Sequence, residues 1–177
     1  KKHIKFLGYE FKMVPGKSRR GYIPRTLPDR DRLKRKVDKI AEEIKHIPRN
    51  YSKEMLIGAI NRINSEIRGV IQYYQCCTWV NIAMQKHVQK LMWAGKRRLK
   101  QYKGKWIPAN ETQNLPRVHQ QYKTKIPSIK YRDIYIGFTA LTFCRWEKPY
   151  PKRDAETPYT EAGRQLYFER TKKKRQQ

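Results

Sequence analysis

The chain has 177 residues, 42 of them Lys or Arg against 15 Asp or Glu, giving a formal net charge of +27. A charge of that size exceeds what solubility needs and implies a polyanionic partner, an RNA or a DNA before an acidic membrane surface. No apolar run approaches the roughly 20 residues of a membrane-crossing helix, and a hydrophobic share of 38% allows a core but demands long solvated or partner-covered stretches.

The opening residues, Lys1-Lys2-His3-Ile4-Lys5, contain no Met start and no signal peptide, and read as the inside of a longer protein. Ile4, Phe6 and the Tyr9–Phe11 stretch carry strand formers, Pro15-Gly16 marks a turn, and Gly21-Tyr22-Ile23 begins the return. This predicts a β-hairpin over 4–24, ended by Pro24 and Pro28. Leu33, Val37, Ile40, Ile44 and Ile47 then recur at alternating steps of four and three. They predict a first helix, capped by Asp29 or Asp31 and stopped by Pro48. Its other faces pair Lys34 with Asp38 and Lys39 with Glu43 at four-residue spacing, the pattern of a solvated face.

Ser52 opens a second helix whose inward positions are Leu56, Ile60, Ile63, Ile67, Ile71 and Tyr74. Gly69 lies inside it, where glycine costs about 1 kcal/mol relative to alanine; a close neighbour or a bend is the expected reason. Cys76 and Cys77 fall at its end. With Cys144 they make an odd set without zinc-like spacing to His3, His46, His87 or His119, so neither a disulfide framework nor a metal site is expected. Buried, inert thiols and a reducing compartment follow.

A third helix is predicted over about 78–102. Val80, Met84, Val88, Leu91, Gly95 and Leu99 form one stripe, and Lys86, Lys90, Trp93, Arg97 and Lys100 another. The two-residue offset is about 200° around a helix, so the stripes face opposite ways. A row of like charges repels itself unless it neutralises phosphates and releases their counterions. Trp93 can stack on a base or lie under Arg97. Arg98, Lys103 and Lys105 carry the charge past the helix end.

Beyond Gly104 periodicity fades, and Pro108, Pro116 and Pro127 punctuate a basic stretch that reads as a linker or an irregular arm. Ile134, Ile136 and Phe138, with Tyr135, Leu141 and Phe143 on the alternate side, suggest one or two short strands or an apolar cluster around Trp146. Thr157-Pro158 predicts the start of a short helix around Tyr159–Glu169, followed by a frayed cationic tail containing Arg170, Lys172, Lys173, Lys174 and Arg175. The expected fold is mainly α, in three parts: a β-hairpin and connector over 1–28, a three-helix domain over 29–103, and a basic region over 104–177 with short strands and a short C-terminal helix.

No phosphate-binding glycine loop, dinucleotide turn or Ser-His-Asp arrangement is present, and the carboxylates supply no convincing metal-binding pair. The chain by itself is expected to catalyse nothing.

The stretch "NSEIRGVIQYYQ", Asn64 to Gln75, resembles the signature of the maturase-specific domain (X, or thumb) of group II intron reverse transcriptases, Asn-x-x-Ile-Arg-Gly-Trp-x-x-Tyr-Tyr. Asn64, Ile67, Arg68, Gly69, Tyr73 and Tyr74 match; Val70 stands where Trp is usual. "FLGYEF" (6–11) is similar to the last reverse-transcriptase block, and "IPRTLPDRDRLKRKV" to the connector and first thumb helix. "GFTALTFCRWEKPYPKRDAETPYTEAGR" (137–164) is similar to the segment that follows the thumb.

The resemblance implies a thumb and DNA-binding region of a larger RNA-directed DNA polymerase. That parent's Mg²⁺-binding Tyr-Ala-Asp-Asp block would lie upstream, and an HNH endonuclease, in relatives that have one, downstream. The implied partners are group II intron RNA, a template–primer duplex and target DNA, with no membrane. The implied setting is the bacterial cytoplasm, among nucleoid or ribonucleoprotein particles, or an organelle. Arg68 lies off the apolar stripe and is free for phosphate, Tyr73 is free to stack on a base or sugar, and Tyr74 turns inward. A generic basic binding module without intron specificity is the alternative.

Overall fold

The computed structural model describes residues 3–17, 19–147 and 153–175, the last four of these as backbone. The chain forms two compact units, Lys1–Trp146 and Glu147–Gln177. The fold mixes helices with two small antiparallel sheets, so strands contribute more than the sequence suggests.

The first sheet has the order β1 (Ile4–Phe6), β2 (Tyr9–Pro15), β3 (Tyr22–Pro28). Leu7 and Gly8, both at positive φ, make the tight turn between β1 and β2. The expected turn at Pro15-Gly16 joins β2 to β3. Pro28 is the last residue of that strand, as expected, but Pro24 lies inside it. β3 is an edge strand, and an edge tolerates a residue with no N–H to donate. Alternation leaves Ile4, Phe6, Phe11, Met13 and Tyr22 on the outward face of this sheet, all exposed.

Three helices follow where the caps and stripes predict them. α1 (Arg30–Lys45) starts at Asp29, whose carboxylate accepts from the Asp31 and Arg32 amides. α2 (Lys53–Tyr74) starts at Ser52, whose hydroxyl accepts from the Met55 amide. Each cap satisfies amides that have no partner within the helix. α3 (Val80–Leu99) has no side-chain cap; Trp79 turns the chain into it from the left-handed region, at φ 57°. The three apolar stripes are buried as predicted, Val88 only partly.

The stretch expected to be a linker instead supplies β4 (Lys105–Pro108) and β5 (Lys125–Tyr131), which join β6 (Ile134–Gly137), a short strand where the alternation predicts one, in a sheet of order β4-β5-β6. Pro127 lies in the middle strand, which hides that strand from sequence reasoning. Its carbonyl accepts from the Phe138 amide, one residue past the last pair of β5 with β6. The absent proline N–H therefore points where no ladder bond is required.

α3 packs on α1 on one side and on β5 and the turn Leu141–Phe143 on the other, and that turn also touches α2. The bundle is thus closed by the segment after β6. Gly95 permits the approach: a Cβ there would lie 2.9 Å from Phe138 and 3.0 Å from Pro127. Asn64, fully buried on α2, fixes the segment. Its Nδ2 donates to the Gly137 carbonyl at 2.9 Å, and its Oδ1 accepts from the Thr139 amide at 2.8 Å. Asn114 adds bonds to both the carbonyl and the amide of Gly137.

Cys77 and Cys144 are buried, and burial pushes the Cys77 thiol up to about 12, which keeps it protonated and unreactive. In the second unit α4 (Glu161–Arg175) begins after Thr160, which caps Gly163 in place of the expected Thr157. The helix continues through the tail predicted to fray; the side chains of Lys172, Lys173, Lys174 and Arg175 lie outside the described residues. Arg170 pairs with Glu156 within this unit.

Two outcomes are expected. Asn64→Ala removes both bonds to the closing segment and leaves the buried Thr139 amide unsatisfied. It should lower unfolding stability by about 2–3 kcal/mol in urea titrations. His119 is buried against Thr139 and Phe143, and burial, with Arg68 nearby, pulls its pKa down to about 4. The unfolded chain takes up that proton near pH 6.5. The native state therefore binds fewer protons between those values, and stability falls as pH drops from about 6.5 toward about 4. His119→Gln should make that decline in melting temperature shallower.

Candidate nucleic-acid interface

The two stripes of α3 are separated as their spacing requires. Val80, Met84, Leu91, Gly95 and Leu99 are buried, whereas Lys86, Lys90, Trp93, Arg97 and Lys100 are exposed. The exposed row borders α1. Lys90, Trp93, Arg97 and Lys100 line one wall of an open groove of about 1070 Å³, with Lys45 of α1 and Arg49 of the following loop opposite. Among the described residues, no carboxylate lies within ion-pair distance of Arg49, Lys86, Arg97 or Lys100.

Trp93 is 52% exposed. It does not lie under Arg97; its ring meets the Trp106 ring of β4 edge-on at 6.0 Å. That contact fixes the indole while leaving aromatic surface toward solvent, a geometry suited to stacking. Lys103, held at φ 57°, and Lys105, at the start of β4, are exposed and continue the charge beyond the helix.

Several predicted contact residues have other roles. Arg98 is buried. Its guanidinium donates to the Pro48 carbonyl and, at 3.2 Å, to the Gln101 side chain, tying α3 to the α1–α2 loop. It is a structural residue. Lys90 is exposed but carries an ion pair with Asp38 of α1 at 2.7 Å, and this ammonium holds the Asp38 carboxyl below its ordinary value. Asp38 thus bonds across the helices to Lys90 and not to Lys34. Lys39 does meet Glu43, at 3.8 Å.

Arg68 is half-buried, bonded to Ser65 at 2.8 Å and close to His119, away from α3. Tyr73 is partly exposed, but its ring stacks on Tyr9 at 5.0 Å and its hydroxyl donates to the Leu7 carbonyl. Tyr74 is buried, as expected, and Ile67 lies fully in the core. Val70, the departure from the signature, is buried as well. Gly69 does not face a close neighbour: an added Cβ meets nothing within 4 Å.

Lys86 lies apart from the main groove. It borders a smaller cleft of about 290 Å³ with Lys12, Lys34, Trp79, Ile82 and His87. Trp79 is 51% exposed there, with the Arg25 guanidinium 4.4 Å from its ring centre. Sequence reasoning misses Trp79, Arg25, Lys45 and Arg49, because each joins the surface through tertiary packing and not through a helical repeat.

Among the described residues, no three His, Cys, Asp or Glu side chains gather where they could hold a metal ion, and no helix is long and apolar enough to cross a membrane. No family model, curated protein or solved structure matches the chain.

Adjacent arginines make a direct check of this surface. Arg98→Ala should cost about 1–3 kcal/mol of stability, because it leaves the Pro48 carbonyl without its donor. Arg97→Ala should stay within about 0.5 kcal/mol of the parent. Equal losses in thermal or urea unfolding would mean that Arg97 is also a packing residue.

Proposed function

We propose that the chain is an RNA-binding thumb, or maturase, segment of a group II intron reverse transcriptase. In this reading it helps intron RNA fold and splice and supports the template–primer duplex during copying. The observation that carries its RNA-binding part is the exposed row Lys86, Lys90, Trp93, Arg97 and Lys100, directly opposite the buried stripe of the same helix. Cations set beside an exposed indole suit a sugar-phosphate backbone with an unpaired base within reach. Among the described residues most of that row has no acidic partner, so neutralisation comes from outside. The order of the sequence blocks, from the hairpin through the Asn64–Gln75 signature to the Gly137–Arg164 segment, supports the intron-specific part.

The role of Asn64 fits the same reading. The signature asparagine bonds to Gly137 and Thr139 at the start of the post-thumb block, so the Asn64–Gln75 signature and residues 137–146 of that block lie in one compact unit. Target-DNA contact belongs, on this view, to the basic region after Gly104. The Mg²⁺-dependent polymerase chemistry belongs to the upstream part of the parent protein.

The test is competition binding. The 177-residue chain should bind a structured group II intron RNA with an affinity that falls steeply with salt, and random-sequence RNA of equal length should compete weakly. Equal competition by random RNA or by duplex DNA would support the generic basic module instead. Replacing Lys86, Lys90 and Arg97 together with Gln should leave unfolding nearly unchanged. The same replacement should flatten the salt dependence of log affinity by about 0.7–0.9 for each phosphate that is no longer neutralised.

A further inference from the structure

A second open groove, of about 750 Å³, runs between α1 and α2, on a face that the charge pattern of α1 marks as merely solvated. One wall is Arg32, Arg35, Lys36 and Lys39 of α1; the other includes Gly69 and Tyr73 of α2. Among the described residues, Arg32, Arg35 and Lys36 have no ion-pair partner. Glu66 also borders the groove, but Arg62 lies 3.5 Å from it and also 3.2 Å from Glu43, and Lys39 reaches Glu43 at 3.8 Å. The Glu66 carboxyl, raised by burial and by Glu43 beside it, also feels Lys36, so the cations of the groove farthest from any carboxylate influence are Arg32 and Arg35 among the described residues.

Gly69 supplies the independent observation. It is exposed in the interior of a 22-residue helix, at an ordinary helical position with open space where its Cβ would be. No neighbour calls for glycine there, although glycine weakens a helix relative to alanine. A missing side chain opposite Arg35 and Lys36 lets an external backbone lie directly on the helix. Tyr73 is rigidly held by Tyr9, Tyr74 and Leu7 and offers a fixed aromatic edge beside that spot.

We infer that the α1–α2 groove is a second nucleic-acid site, in which one sugar-phosphate strand of the bound RNA crosses Gly69 with its phosphates against Arg32, Arg35 and Lys36. This rests on the RNA-binding reading above and adds to it a surface on the other flank of α1. The RNA then grips α1 from two sides, one strand in each groove.

The experiment measures binding of a fluorescein-labelled structured intron RNA to the full chain by anisotropy, over a range of salt concentrations. Four variants are compared with the parent: Gly69→Ala, Gly58→Ala, the triple Arg32/Arg35/Lys36→Gln, and Arg97/Lys100→Gln as the α3 reference. Gly58 is the control, since it too is exposed in α2 with open space at its Cβ but does not line the groove. Both alanine variants should unfold at higher temperature than the parent. Only Gly69→Ala should also weaken binding, by about three- to tenfold, and the triple variant should flatten the salt slope. If Gly69→Ala and the triple variant bind like the parent while the α3 variant is weakened, the second site is overturned and the α3 reading stands. If the parent chain does not bind the RNA, both fall.

Discussion

The arrangement depends on Asn64 and the segment that it holds. Three helices with one apolar stripe each do not close a bundle here, because α3 packs on α1 but leaves a gap toward α2. Gly137–Cys144 fills that gap, with Phe138, Ala140, Leu141 and Phe143 buried. The segment carries backbone amides and carbonyls into the interior, and a buried amide without a partner costs about 1–3 kcal/mol. Asn64, with one donor and one acceptor side by side, satisfies both the Gly137 carbonyl and the Thr139 amide. Gly95 takes away the side chain that would keep the sheet off the helix, and Gly137 leaves room for Ile126 and Ser128 of the neighbouring strand. Residues 104–146 are therefore part of the same compact unit as the helices.

That closure decides where charge is able to go. With α3 buried on α1 at one side and on β5 at the other, its remaining edge is a narrow exposed strip, and the cations of the repeat occupy it. The cost of crowding them is reduced in one place by Asp38 against Lys90; elsewhere the row faces water. An ion pair at the surface contributes at most about 1 kcal/mol, so Asp38 positions Lys90 more than it stabilises the fold. Part of the +27 excess thus lines the two grooves that α1 borders.

Much of this is legible in the residues. Asp29 and Ser52 cap the helices that their positions predict, and the stripes of α1, α2 and α3 face inward, because helical period and capping are local rules. β6 is legible from its alternation, but β4 and β5 are not: Pro127 argues against a central strand unless the end of the β6 ladder is known. Arg98 reads as a surface cation because its neighbours Arg97 and Lys100 are exposed. Only the position of Pro48, brought in by the α1–α2 loop, turns it inward. Tyr73 reads as free to stack on a base, yet Tyr9 of the first sheet already stacks on it. Each miss concerns a contact made across the fold, which spacing along the chain does not encode.

Lysine footprinting tests the central claim most directly. The free chain and its complex with structured intron RNA are acetylated briefly, and modification is quantified by mass spectrometry. The account predicts protection of Lys86, Lys90 and Lys100 on α3 and of Lys103 and Lys105 just beyond it, with Lys5 and Lys123, which belong neither to that row nor to the two grooves, modified as in the free protein. Protection spread evenly over all lysines, or absent from α3, would contradict it.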